Sequence, residues 1–264
     1  MWFWVLYPLG GALAGLLAGL LGVGGGVVVV PIVFFSLSAQ NLPPEYIMQI
    51  ALGTSLGTIA FTSVSSFRAH NAYGAVIWDI VKRITPGILI GTFLGTWVAT
   101  RLPPWFLKVF FTIFIYYVAL QMLMNYKPKP NRHLPGLPGM SGVGGVIGIV
   151  SSLVGIGGAT LSVPFMTWCN VPVHQAIGTS SAIGFPIAVA GTIGYIINGW
   201  NAPGLPLYSL GYVFLPALFS VALVSMLVAP YGARLSQRLP VSTLKKIFAF
   251  FLIIIATKMS WGLF

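Results

Sequence analysis

The chain has 264 residues, of which 57% are apolar and only 6% charged, and its formal net charge is +11. Soluble domains average about 25% charged residues, so this composition excludes a soluble fold. Apolar runs of about 20 residues, the length that crosses a bilayer as a helix, recur along the sequence. We therefore predict an all-α polytopic membrane protein.

The apolar segments form two similar series, one on each side of a polar segment. The first series is a glycine-interrupted stretch followed by three spans: 3–37, then 47–66, 76–100 and 105–125. The second series has the same pattern: a broken stretch at 140–168, then spans near 175–197, 208–230 and 243–263. We expect a first membrane repeat at 1–126, a proline-rich cytoplasmic linker at 127–139 and a second membrane repeat at 140–264. Because no basic residue precedes the first apolar run, we expect a retained membrane span there and not a cleaved signal.

Three signatures recur in the same order in both series. The matched pairs are 21–31 with 154–164 (LGVGGGVVVVP and VGIGGATLSVP), 51–55 with 176–180 (ALGTS and AIGTS), and 101–108 with 238–245 (RLPPWFLK and RLPVSTLK). Glycines around the first signature have counterparts 133 residues later in the chain, as Gly15 has in Gly148. Because chance does not readily preserve the order of three signatures, we infer an internal duplication.

The broken stretch at 3–37 has two possible paths, which imply different arrangements of the halves. As a helix it would be about 50 Å long, too long for one straight crossing. One long broken crossing would give four crossings per half and parallel repeats. A helical hairpin that enters the membrane and returns would leave three spanning helices per half and would give inverted repeats.

The order of the basic residues favours the hairpin, since basic loops concentrate on the inner side of a membrane. No Lys or Arg precedes Arg68 and none lies in 198–207, which places the N-terminus and that loop outside. Arg101 and Lys108 also fall outside in this scheme and count against it, so parallel repeats remain the alternative. The basic residues that fall inside are Arg68, Lys82, Arg83, Lys127, Lys129, Arg132, Arg234, Arg238, Lys245 and Lys246.

Contiguous glycines interrupt a helix, because each weakens it by roughly 1 kcal/mol relative to alanine. In lipid, non-helical backbone persists only where protein buries it or a polar cavity wets it. Transporters with inverted repeats place broken helices at the midplane, where the N–H groups of a half-helix attract an anion. Close helix packing is the alternative use, which we favour for the more widely spaced glycines. The candidate anion-binding glycines are Gly24, Gly25, Gly26, Gly157 and Gly158.

Hydroxyl side chains follow each glycine break. Thr54 and Ser55 lie in the first half, Thr179 and Ser180 in the second, and Thr160 directly after the second break. Such side chains in membrane helices often bond back to the preceding turn. Their repetition in both halves favours a second interpretation, in which O–H and N–H donors form an uncharged cage around an oxyanion.

Other chemistry has little support in the sequence. The two carboxylates, Glu45 and Asp79, are too few to line a cation pathway. Asp79 lies one turn before Arg83, which suits a salt bridge, and Asp79 and His174 are candidates for proton coupling. With a single cysteine and three scattered histidines we expect no metal site, and with no cofactor motif or catalytic constellation we expect no cofactor and no enzyme. Basic residues lie between apolar spans, so we expect no nucleic-acid partner.

Two GxGGG-like breaks that end in Pro31 and Pro164, each followed by an A-x-GTS span, resemble the sulfite exporter TauE/SafE family, which is grouped with toluene-sulfonate uptake permeases. The resemblance covers essentially the whole chain. It implies a secondary transporter of sulfite, organosulfonates or related anions, and it points to the glycine and hydroxyl residues named above. Ala159 replaces the last glycine of the motif in the second half, so the halves need not contribute equally.

We therefore predict a multi-pass transporter in the cytoplasmic membrane that moves a sulfur-containing oxyanion by alternating access. It would act in the lipid bilayer as a monomer or homodimer. A passive anion channel is the alternative, and such a channel would show neither counterflow nor saturation at modest substrate concentrations.

Overall fold

A computed structural model describes residues 3–22, 24–40, 44–124, 133–236 and 241–261, which form ten helices and one two-stranded β-hairpin. The helices of the first half are α1 (Phe3–Leu21), α2 (Gly26–Ser38), α3 (Ile47–Ala72), α4 (Trp78–Ala99) and α5 (Pro104–Leu123). Those of the second half are α6 (Leu137–Val154), α7 (Ala159–Trp168), α8 (Val173–Gly199), α9 (Leu215–Ser236) and α10 (Val241–Trp261), with β1 (Ser209–Leu210) and β2 (Val213–Phe214) between α8 and α9. Residues 127–132 of the predicted linker, with Lys127, Lys129 and Arg132, lie outside the described residues, and so does Arg238.

Five of the described helices, α3, α5, α6, α8 and α9, are long and apolar enough to cross a membrane. Each has at least 18 residues, which corresponds to about 27 Å of helix against a hydrocarbon core of about 30 Å. Large apolar side chains such as Ile113, Leu223 and Ile254 are more than 60% exposed, as a lipid-facing surface requires. The architecture is therefore that of an all-α membrane protein.

The first glycine break turns the chain into an antiparallel helical hairpin. Near the open end of the hairpin, the Tyr7 hydroxyl of α1 shares a hydrogen bond with Ser36 of α2. Near the turn, a Cβ atom added to Gly25 would lie 2.7 Å from the Cβ of Ala14. The turn is possible because Gly24 and Gly25 adopt positive φ angles of 73° and 75°, a conformation that side chains disfavour.

The second break forms a hairpin of the same kind between α6 and α7. A Cβ atom added to Gly158 would lie 3.1 Å from Ile147 and 3.3 Å from the Ser151 hydroxyl, both in α6. The two breaks also meet, because a Cβ atom at Gly24 would lie 3.3 Å from the Cα of Gly157. The same Gly24 position faces Ile59, which is halfway along α3.

Helices α3 and α8 form the centre of the bundle and run antiparallel. The hydroxyls of Ser66 and Ser181 are 3.2 Å apart at one end of the contact. At the other end, a Cβ atom added to Gly53 of α3 would lie 2.9 Å from the Cβ of Tyr195 of α8. Both helices are mostly buried, and the two hairpins pack against them.

Glycine stripes let two further helix pairs approach to backbone contact. In α1, a Cβ atom at Gly15 would lie 2.7 Å from the Cα of Ser225 in α9. In α6, a Cβ atom at Gly148 would lie 2.6 Å from the carbonyl oxygen of Ile88 in α4. Without a hydrophobic force between helices in lipid, such close approach supplies van der Waals packing that stabilises the bundle.

Residues at corresponding positions of the two halves make matching hydrogen bonds. The Nε2 atom of His70 lies 2.9 Å from the carbonyl oxygen of Gly19, and the Tyr195 hydroxyl donates to the carbonyl oxygen of Ser152 at 2.9 Å. Because a carbonyl oxygen only accepts, Nε2 of His70 carries the hydrogen. Two different side chains thus tie α3 to α1 and α8 to α6 in the same way.

The β-hairpin corrects the predicted span at 208–230. Ser209 pairs with Phe214 and Leu210 with Val213, across a turn in which Gly211 has a φ of 54°. Helix α9 therefore begins at Leu215, later than the apolar run suggested. A short apolar run of this kind is compatible with either a strand or a helix, and periodicity alone does not separate them.

We expect Gly15→Ala to destabilise the protein by about 1–3 kcal/mol, because the added methyl group overlaps the backbone of α9. The matched control is Gly142→Ala in α6, where a Cβ atom would meet nothing within 4 Å. That control should gain up to about 1 kcal/mol from helix propensity. Thermal unfolding of the two purified variants in detergent measures the difference, and equal stabilities would contradict the packing described for α1 and α9.

Candidate functional site

The two short helices that follow the glycine breaks begin without a side-chain cap. Gly25 precedes α2 and Gly158 precedes α7, with φ angles of 75° and 78°, and neither helix start has a capping hydrogen bond from a side chain. The first N–H groups of a helix have no partner within that helix, and they carry its partial positive charge. Both breaks therefore present backbone donors at the centre of the bundle.

At the start of α7 these donors lie beside hydroxyl groups. The N–H groups of Leu161 and Ser162 bond to the carbonyl oxygen of Gly158, whereas the described hydrogen bonds include none from the N–H of Ala159 or Thr160. The Ser151 hydroxyl lies close to Gly158, within 3.3 Å of an added Cβ atom. The Ser151 hydroxyl thus lies close to the start of α7.

Two hydroxyls near the second break are buried and have no hydrogen-bond partner in the described structure. They are Oγ of Ser151 and Oγ1 of Thr160, on side chains that are 0% and 5% exposed. An unsatisfied buried hydroxyl costs roughly 1–3 kcal/mol, so native proteins contain few of them. Ser151 and Thr160 are thus two hydroxyls near the second break whose hydrogen-bonding capacity the described residues leave unused.

Other hydroxyls line the same break and are already paired. The hydroxyls of Ser162 and Ser180 are 2.9 Å apart, and Ser55 of α3 donates to the carbonyl oxygen of Gly155 at 2.7 Å. All three serines are buried. Ser55 thus helps to hold the break of the other half open as a turn, since it satisfies a carbonyl that α6 no longer uses.

The first break lacks this polar lining. At the offset of 133 residues, Ser151, Thr160 and Ser162 correspond to Ala18, Val27 and Val29, which are buried apolar residues. The N–H groups at the start of α2 therefore have no side-chain hydroxyl beside them at these positions. These three positions are thus polar in the second half and apolar in the first, although the Ser181 hydroxyl also lies near Gly22 of the first break.

The predicted threonines of the GTS pairs have backbone partners. Oγ1 of Thr54 accepts a hydrogen bond from the N–H of Phe214 at 2.9 Å, and Oγ1 of Thr179 accepts one from the N–H of Ile77 at 2.9 Å. Phe214 and Ile77 directly precede α9 and α4. The two threonines are thus used equivalently, because Thr54 of α3 holds the start of α9 and Thr179 of α8 holds the start of α4.

The two candidates for proton coupling are both exposed. Asp79 makes the salt bridge that its spacing suggested, with Oδ2 2.9 Å from Nε of Arg83 and the two side chains 66% and 47% exposed. His174 is exposed in the first turn of α8. Gly24 and Gly157, by contrast, lie in contact at the centre of the bundle.

Sequence reasoning passed over Ser151 and Ser162. Both lie in apolar surroundings, where a lone serine predicts little. A comparison of residues 133 positions apart could have found both serines, because it pairs each of them with an apolar residue of the first break.

The family model described as sulfite exporter TauE/SafE matches residues 7–259. The chain belongs to the TauE/SafE family. A probable membrane transporter protein of Haemophilus influenzae is 38% identical over 259 residues, which cover 97% of this chain and 98% of the relative.

More distant relatives of this TauE/SafE protein have the same description. The probable membrane transporter protein MJ0441 of Methanocaldococcus jannaschii is 27% identical over 87% of this chain and 85% of its own length. The probable membrane transporter protein YunE of Bacillus subtilis is 28% identical over 72% and 77%. No solved structure is significantly similar to the chain. Family and relatives identify a multi-pass membrane transporter rather than an enzyme.

Thr54→Val and Thr179→Val should each destabilise the protein by about 1–3 kcal/mol, because each leaves a backbone N–H without its acceptor. Thr58→Val is the matched control, since the buried Thr58 hydroxyl only bonds back to the carbonyl oxygen of Thr54 within α3. Thermal unfolding in detergent compares the three variants. Losses no larger than that of Thr58→Val would contradict the role assigned to Thr54 and Thr179.

Asp79→Asn should change the stability by less than about 0.5 kcal/mol, because the salt bridge with Arg83 is exposed to solvent. We also expect the pH dependence of transport to be unchanged in this variant. Transport into proteoliposomes, measured from about pH 5 to pH 8, tests this. Histidine titrates within that span. A flattened pH profile would instead support proton coupling through Asp79.

Proposed function

We propose that this TauE/SafE protein moves a sulfur-containing oxyanion, such as sulfite or an organosulfonate, across the cytoplasmic membrane by alternating access. The observation that carries the proposal is the hydroxyl-lined second break. There, the start of α7 and the unpaired hydroxyls of Ser151 and Thr160 present several donors within an apolar core. The family description supplies the chemical class of the anion.

The donor set suits an oxyanion because it contains no fixed charge. The helix start contributes partial positive charge and N–H groups, and the hydroxyls contribute O–H donors. A pyramidal or tetrahedral anion offers three or four acceptor oxygens to such convergent donors. Dipoles that attract without a full positive charge permit release as well as binding, which a transporter needs in both of its open states.

Alternating access requires two arrangements of the halves, and we propose inverted repeats as their basis. Equivalent helices α3 and α8 pack antiparallel, as expected when one half is turned over relative to the other. The residues around the second break are buried, so an anion reaches them only when the hairpins move relative to α3 and α8. Inverted repeats give that movement two related end states.

We expect Ser151→Ala combined with Thr160→Val to weaken sulfite binding at least roughly tenfold, because hydrogen bonds to a charged group contribute about 1.5–3 kcal/mol each. These substitutions reproduce the residues at equivalent positions of the first break, Ala18 and Val27. The measurement is counterflow of radiolabelled sulfite in proteoliposomes over a range of concentrations. The wild-type protein should show saturable counterflow.

Thr167→Val is the control, since Thr167 lies at the far end of α7 and bonds to the carbonyl oxygens of Val163 and Pro164. It should leave the half-saturation concentration unchanged. Saturable counterflow with the same affinity in the double variant would move the site away from the break. Sulfite flux without counterflow or saturation would support the passive anion channel instead.

A further inference from the structure

A separate cavity of about 360 Å³ lies between the C-terminal ends of α3 and α9. The two helices run side by side in the same direction here, so their ends face the same side of the membrane. Two arginines, Arg68 of α3 and Arg234 of α9, line it together with Tyr73. The rest of its lining is mainly small or apolar side chains: Val64, Ala69, Ala72, Met226 and Pro230.

The wall of the cavity is fixed by a proline in α9. Pro230 has no N–H, so the carbonyl oxygen of Met226 one turn earlier lacks its helical donor. Ser65 of α3 supplies the missing donor, with Oγ 2.7 Å from that carbonyl oxygen. This bond attaches α3 to α9 directly beside the two arginines, so the cavity is a built feature of the interface between the two helices.

Neither acidic side chain of the chain neutralises these arginines. Glu45 precedes the first residue of α3, and Arg68 lies about 30 Å farther along that helix. Asp79 is already paired with Arg83. The guanidinium of Arg234 lies 5.8 Å from the ring centre of Tyr231. Among the described residues, the cavity therefore presents two guanidinium groups that no carboxylate compensates, and their planar donor forks match the oxygens of a phosphate.

An exposed apolar stripe leads along α9 to the cavity. Phe219, Leu223, Leu227 and Tyr231 succeed one another by one helical turn, and each is at least 60% exposed. This is a surface on which acyl chains can lie. The basic residues of this end are those that the charge distribution assigns to the cytoplasmic side, where membranes carry anionic lipids.

We propose that the cavity lined by Arg68 and Arg234 binds the phosphate headgroup of an anionic phospholipid in the cytoplasmic leaflet. The two arginines hold the phosphate, and the acyl chains follow the apolar stripe of α9. The site is separate from the glycine breaks, so it does not depend on which anion the protein carries.

The test measures binding of phosphatidylglycerol to the purified protein in detergent by native mass spectrometry, with phosphatidylcholine as the zwitterionic comparison. Two arginines near a charged headgroup contribute about 1 kcal/mol each, so Arg68→Gln combined with Arg234→Gln should weaken phosphatidylglycerol binding roughly thirtyfold. Ala72→Trp, which fills the cavity and keeps both charges, should also abolish the preference for phosphatidylglycerol.

Arg101→Gln is the matched control, because Arg101 also stacks on an aromatic ring, that of Trp97, but lies outside this cavity. It should leave phosphatidylglycerol binding unchanged. Equal binding by the double variant and this control would overturn the proposal. Inorganic phosphate that competes with phosphatidylglycerol at equal concentration would also overturn it, since the site would then belong to a soluble anion.

Discussion

The structure depends on one constraint: inside an apolar bundle, each backbone polar group must find its partner within the protein. Regular helices satisfy this automatically, but each glycine break leaves carbonyl and N–H groups without helical partners. Around the second break, the N–H of Gly155 returns to the carbonyl oxygen of Ser151, and Ser55 covers the Gly155 carbonyl from another helix. The N–H groups that remain, at the start of α7, are the ones available to a ligand.

The same constraint explains the other polar contacts of the core. His70 and Tyr195 each reach a backbone carbonyl of the neighbouring hairpin, while Thr54 and Thr179 each accept the N–H that directly precedes a helix of the opposite half. These side chains are polar because the backbone beside them needs a partner. Ser151 and Thr160 differ from them, because no such partner lies beside their hydroxyls in the described structure. Thr92 and Ser209 also have unpaired buried hydroxyls, so it is the position of Ser151 and Thr160 at the second break that makes them the candidate ligand donors.

The two breaks show how one backbone motif can serve two purposes. Both use glycines with positive φ to turn the chain, and both rest against the middle of the α3 and α8 pair. Apolar residues at the first break leave a packed junction, whereas hydroxyls at the second leave a polar one. Helix α3 adjoins this junction through Ser55 and adjoins the arginine-lined cavity through Arg68. It is therefore the element through which the surrounding lipid and the proposed anion site could influence each other.

The sequence by itself determined the membrane class, most of the helices and the positions of the breaks, because hydropathy and glycine act locally. It also predicted the Asp79 and Arg83 pair, whose partners lie on one helix. It did not predict the β-hairpin before α9, since a short apolar run suits a strand as well as a helix. Nor could it separate Thr54 and Thr179 from Thr160 and Ser151 by use. Whether a hydroxyl is occupied depends on which backbone group lies beside it, and for Thr54 and Thr179 that group is 100 or more residues away. Only the tertiary structure decides this.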